Sequence, residues 1–148
     1  MFENLTEINL SWPPKGASLT TTMIDYLVKN ISTQLRKVGL NSQIKLRDEH
    51  MAILATRCKE IRELQLFGVF GITDNSLDHI MKGLCKLEKL DISLEENNLM
   101  KILELRSMPE LQKLNFQHVR TIGDIEKLKK SLPHLIINQK SFQIAELQ

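Results

Sequence analysis

The sequence predicts an α/β solenoid built from about six strand–turn–helix units, on three observations. First, the pattern L-x-x-L-x-L, with aliphatic or aromatic substitutes, occurs six times: Leu5-Ile8-Leu10, Leu35-Val38-Leu40, Ile61-Leu64-Leu66, Leu87-Leu90-Ile92, Leu111-Leu114-Phe116 and Leu132-Leu135-Ile137. Second, successive triplets start 30, 26, 26, 24 and 21 residues apart, in or near the range of about 20–29 residues for leucine-rich repeats. Third, the intervening segments carry helical apolar spacing. A unit of this kind cannot bury its apolar face alone, so the units must stack. The expected architecture is a single leucine-rich-repeat domain over residues 1–148. In it a short parallel sheet lines the concave face of a right-handed horseshoe arc, with helices on the convex face.

The helical faces are read as follows. Met51, Leu54, Ala55 and Cys58 fall at i, i+3, i+4 and i+7, and Leu77, Ile80, Met81 and Leu84 repeat that spacing. Met23, Leu27 and Ile31 mark the first helix, Leu99, Ile102 and Leu103 the fourth, and Ile125, Leu128 and Leu132 the fifth. Thr73-Asp74 and Gly123-Asp124 suit the starts of the third and fifth helices. Ser93 and Glu96 suit a capping box for the fourth.

Alternation along each strand then sorts side chains between core and concave surface. The surface set is Glu7, Asn9 and Ser11, then Lys37, Gly39 and Asn41, then Glu63, Gln65 and Phe67. Lys89, Asp91 and Ser93 follow, then Lys113, Asn115 and Gln117, and last His134, Ile136 and Asn138. Phe67 is the one large aromatic in this set, with Trp12 at the rim. Exposed aromatics beside polar neighbours anchor many interfaces. The alternative for Phe67 is packing on an adjacent unit, and for Trp12 covering the open end of the first unit.

Composition narrows the class further. In 148 residues, 42% hydrophobic and 26% charged is the balance of one ordinary globular domain. Twenty basic and eighteen acidic residues leave a formal charge of +2, without the basic stripe expected of a nucleic-acid binder. Lys127, Lys129, Lys130 and Lys140 read as a solvated helix face. Two cysteines, Cys58 and Cys85, cannot form a disulfide framework, which suits a reducing, intracellular setting, and composition does not divide nucleus from cytoplasm. No apolar run approaches the roughly 20 residues of a membrane span. Chemistry is equally sparse. Cys58, Cys85, His50 and His79 lack paired zinc-ligand spacing, His118 and His134 lack a nearby nucleophile, and the six glycines are scattered singly. Asp48-Glu49 and Glu95-Glu96 fit helix starts, where the dipole favours negative charge. A protein-binding module without metal or cofactor is expected, and not an enzyme.

The stretch "RCKEIRELQLFG" (Arg57 to Gly68) resembles the cysteine-containing repeat of F-box leucine-rich-repeat proteins, with Cys58 in the matching position and Cys85 one residue out of register. "EINLSW" (Glu7 to Trp12) and "LKKSLPHLIIN" (Leu128 to Asn138) resemble the later repeats of a cell-cycle member of that family, and the similarity runs in order from about Leu5 to Phe142. The resemblance implies the substrate-recognition part of an SCF-type cullin-RING ubiquitin ligase. It also implies a protein substrate, with a small cyclin-kinase accessory subunit as a possible co-partner. No F-box is expected within this chain, because only Met1 to Asn4 precede the first repeat, so adaptor and cullin would require an F-box upstream. The sequence therefore looks like the distal repeats of such a receptor, whether as a fragment or as a protein without the ligase connection. The competing reading is a stand-alone repeat scaffold or assembly factor. The first unit lacks a polar cap, so either the isolated chain is expected to be only marginally soluble or something is expected to cover the Trp12 end.

Overall fold

The computed structural model describes residues 3–93, 99–117 and 122–139. Among these residues, strands and helices alternate strictly: β1 (Glu7–Asn9), α1 (Thr21–Asn30), β2 (Lys37–Gly39), α2 (Asp48–Arg57), β3 (Glu63–Leu66), α3 (Asp74–Gly83), β4 (Lys89–Ser93), α4 (Leu99–Leu103), β5 (Lys113–Gln117), α5 (Ile122–Ser131) and β6 (Ile136–Gln139). A 3-10 turn over Glu104–Ser107 continues α4. The six strands form one all-parallel sheet in sequence order, so each crossover leads to the neighbouring strand. Such crossovers share one hand, and a sheet that always grows in one direction then collects its helices on one face.

The core confirms that placement. Val38, Leu64, Leu90 and Leu114 sit at paired positions of β2 to β5 and join Ile24, Val28, Met51, Leu54, Leu77 and Ile80 in a single buried cluster. Helix starts are set locally. The Thr20 hydroxyl accepts from the amide of Met23 at 3.2 Å, and Thr73 is the N-cap of α3. Buried His50 accepts the Arg47 amide on Nδ1 at 2.9 Å, while its Nε2 lies 3.2 Å from Asp25 of α1. Since Nδ1 is an acceptor, the ring proton belongs on Nε2, facing the carboxylate. This histidine joins the first two helices.

Several expectations change. The first helix buries Ile24 and Val28 and exposes Met23, while the expected Ile31 is buried and Leu27 packs against the core. Ser93 ends β4, and its hydroxyl accepts the amide of Gly68 at 2.8 Å; the capping box expected of Ser93 with Glu96 falls outside the described residues. Glu96 lies outside the described residues, as do Glu95, His118, Lys140 and the C-terminal stretch. Helix α5 begins at Ile122, just ahead of the expected Gly123-Asp124 start. Cys58 is buried, its thiol 3.4 Å from the Ser32 carbonyl oxygen, whereas Cys85 is exposed. Burial pushes the Cys58 thiol up, outweighing the opposing charge of Arg57.

The last unit is one residue shorter before its strand. Lys113 pairs with Ile136 and Leu114 with Ile137, while the Leu135 amide bonds the Leu132 carbonyl as Leu87 bonds Leu84. Leu135 thus takes the first apolar position of the unit and Ile137 the second. His134 falls in the preceding turn rather than on the sheet face.

Candidate functional site

The sheet face away from the helices is a lattice of three rows that run across the strands. The first row is Glu7, Lys37, Glu63, Lys89, Lys113 and Ile136, and the second is Asn9, Gly39, Gln65, Asp91, Asn115 and Asn138. Ser11, Asn41 and Ser93 make the third, at the carboxyl ends of the strands, and Gln117 is paired with Ser93 in the backbone register. Among the described side chains the structure therefore brings the expected surface residues onto one side of the sheet, His134 and Phe67 excepted, and it separates them by exposure.

The first row is the accessible one. Charges alternate along it from Glu7 to Lys89, with Lys37 and Glu63 3.5 Å apart. Lys89 and Lys113 then stand directly opposite each other, followed by Ile136, which is 62% exposed. Like charges on paired positions repel, so an acidic group placed over this pair would relieve them.

The second and third rows are largely closed by their own hydrogen bonds. Asn115 donates to Asp91 at 2.6 Å and accepts from Asn138 at 2.9 Å, linking three strands. Asn41 Oδ1 accepts from the Phe67 amide at 2.6 Å, and Ser11 Oγ accepts from the Asn41 amide at 3.1 Å. Asn41, Asp91, Ser93 and Asn115 are buried, which corrects their expected place as accessible contact residues. Pairing across the strands satisfies their polar atoms. Gly39 leaves the gap this needs. A Cβ there would stand 2.6 Å from Asn9 Oδ1 and 2.9 Å from Ser11 Oγ, too close for either to stay.

Phe67 is likewise corrected. It is 4% exposed and stands one residue past the end of β3, where strand alternation no longer assigns sides. Gly68 follows with φ +70° and turns the chain. Trp12, by contrast, is 43% exposed. It takes φ +55°, and the equivalent Ser42 takes φ +62°. Each of these two donates its amide to the next unit, Trp12 to Asn41 and Ser42 to Phe67. The left-handed turn recurs where Gly68 is the one glycine among the three residues. Sequence periodicity contained no signal for it.

At the β1 end, Leu5, Ile8, Leu10, Leu19 and Leu27 are only partly buried, and with Met23 and Tyr26 they line an open apolar hollow of about 500 Å³. Among the described residues, no three metal-ligating side chains gather, and no helix is long and apolar enough to cross a membrane. The chain matches no protein-family model.

Proposed function

We propose that this chain is a leucine-rich-repeat module that holds a partner protein on the open face of its sheet. The observation that carries the reading is the first row: one accessible line of side chains across six strands, ending in Lys89, Lys113 and Ile136. A surface with paired cations beside an exposed aliphatic side chain suits a protein segment that combines an acidic residue with an apolar one. On the resemblance of its repeats, the module serves as the substrate-recognition part of an F-box type receptor in a cullin-RING ubiquitin ligase. The small cyclin-kinase accessory subunit is a candidate co-partner. The stand-alone scaffold shares the same face but lacks the ligase.

The test is quantitative co-purification from cells of the native product that carries this sequence, beside its Lys89→Glu/Lys113→Glu variant. A partner lost with the variant, recovered together with adaptor and cullin, supports the ligase reading. The same partner without ligase subunits supports the scaffold. An interaction profile unchanged by the charge reversal would overturn the sheet-face reading.

A further inference from the structure

We propose that the loops after β1, β2 and β3 form a second docking surface, a rim that takes an acidic amphipathic helix of a partner protein. Register identifies the surface. Gly39 and Gln65 are paired across the strands, and five residues beyond them, each three residues ahead of the next helix's N-cap, stand Ile44 and Phe70, both exposed, while exposed Pro14 lies on the longer first loop. Ile44 is 56% and Phe70 58% exposed, and Trp12 adds an exposed ring to the first of the three loops. Apolar side chains thus recur at one position in consecutive turns, along the edge where the strands end. Scattered exposed apolar residues need no explanation, but an aligned series on neighbouring units does.

Charge selects the partner. The loops from Leu10 to Thr20, Leu40 to Arg47 and Leu66 to Thr73 contain Lys15, Lys45 and Arg47 and not one acidic residue. The first carboxylate after the second loop, Asp48, is engaged by Thr73 and Ser76. An apolar stripe set among cations complements apolar residues flanked by Asp or Glu.

The loops are also held in place from within. Buried Gln43 donates to the Leu10 carbonyl and accepts the Leu19 amide at 3.1 Å, which ties the first loop to the second. The Arg47 guanidinium donates to the carbonyls of Ile44 at 2.7 Å and Leu46 at 3.0 Å. Gly71 gives that guanidinium its room, since a Cβ there would stand 2.1 Å from Nη1 and 2.5 Å from the Leu46 carbonyl. Anchors fixed in this way lose little conformational entropy on binding.

Spacing decides the form of the segment. Neighbouring strands lie about 4.8 Å apart, so the stripe advances by about that distance per unit. A helix advances about 5.4 Å per turn, whereas same-side residues of an extended strand are about 6.7 Å apart. Over the step from Ile44 to Phe70 the helix departs by about 0.6 Å and the strand by about 1.9 Å. The partner therefore presents apolar residues at i and i+3 or i+4.

Panning a randomised peptide library against the full chain tests this. Enriched peptides are expected to show that helical spacing with flanking Asp or Glu, and a synthetic copy is expected to bind less tightly as salt rises. Ile44→Glu/Phe70→Glu is expected to weaken it about tenfold or more, the loss typical of anchor residues, at an unchanged melting temperature. Lys15→Glu/Lys45→Glu, which alters solvated side chains alone, is expected to weaken it as well. Lys89→Glu/Lys113→Glu is expected to leave it intact, which separates the rim from the sheet face. No enrichment, enrichment of alternating or basic peptides, or affinity indifferent to both rim variants would overturn the proposal. So would binding to phosphatidylserine vesicles that the same rim variants abolish, which would make the rim a lipid contact.

Discussion

Asp48, the first residue of α2, accepts both the amide and the hydroxyl of Thr73, the N-cap of α3, at 2.8 and 2.6 Å. One carboxylate thus serves two helix starts, its own by charge and the next unit's by hydrogen bonding. Burial raises its pKa, yet the hydroxyl and amide donors of Ser76 and Thr73 together outweigh that and hold the group below the ordinary carboxylate value. A depressed folded-state pKa adds stability that is present above the ordinary Asp range and lost as pH falls through the folded value. Asp48→Ala is expected to cost about 1 kcal/mol at neutral pH, the scale of a lost cap. In urea melts the gap between wild type and variant should narrow below about pH 4. A gap that stays constant to pH 2 would mean that the carboxylate charge contributes nothing.

Asn115 holds buried Asp91 on one side and Asn138 on the other. Asn115→Ala removes a donor from a covered carboxylate and is expected to cost about 1–3 kcal/mol. Asp91→Ala added to it should then cost little more or restore some stability, because the stranded acceptor is gone. A double-mutant cycle measures this coupling, and additive losses would show that the two side chains act independently.

Gly83, in the last turn of α3, has no room for a methyl group: a Cβ would meet the Ala55 carbonyl oxygen of α2 at 2.3 Å. Alanine is favoured over glycine in helices by about 1 kcal/mol. Overpacking against backbone costs about 1–3 kcal/mol and is expected to prevail, so Gly83→Ala should lower the urea midpoint. A raised midpoint would mean that α2 and α3 part easily.

Ser42 and Gly68 occupy equivalent left-handed turns, at φ +62° and +70°. A left-handed conformation costs a non-glycine residue about 1–2 kcal/mol. Ser42→Gly is expected to recover part of that and raise the melting temperature, and Gly68→Ala to lower it. The same sign for both substitutions would contradict the equivalence of the two turns.

Phe67, buried past the end of β3, belongs to packing. Phe67→Ala is expected to cost about 3–5 kcal/mol of stability and to leave partner affinity unchanged in the fraction that stays folded. Weakened binding at full stability would return it to the interface.

The α/β alternation, the six strand positions and most helix faces were legible from apolar spacing alone, because burial of a periodic stripe is a local property of the sequence. Along the first helix the expected Leu27 and Ile31 meet the core, whereas Met23 gives way to Ile24. Both Met23 and Ile24 fit a helical period, and only the neighbouring unit determines which of them meets it. The last triplet was misread for a similar reason. Leu132, Leu135 and Ile137 match the pattern, yet the backbone bond from Ile136 to Gln112 aligns Ile137 with Leu114.

On the candidate face, alternation identified the correct side for nearly every residue but not its accessibility. Lys89 and Asp91 point the same way. Lys89 is a long chain that reaches solvent, while Asp91 is short, buried and hydrogen-bonded by Asn115. Apolar periodicity by itself determined where the strands and helices lie, since it encodes which side of each element shuns water. Only the tertiary structure decided which polar groups are sealed into a ladder, which turns go left-handed, and which loops align Ile44 with Phe70. Those outcomes depend on residues about 26 positions apart coming within hydrogen-bonding reach, a distance set by strand pairing rather than by any local preference.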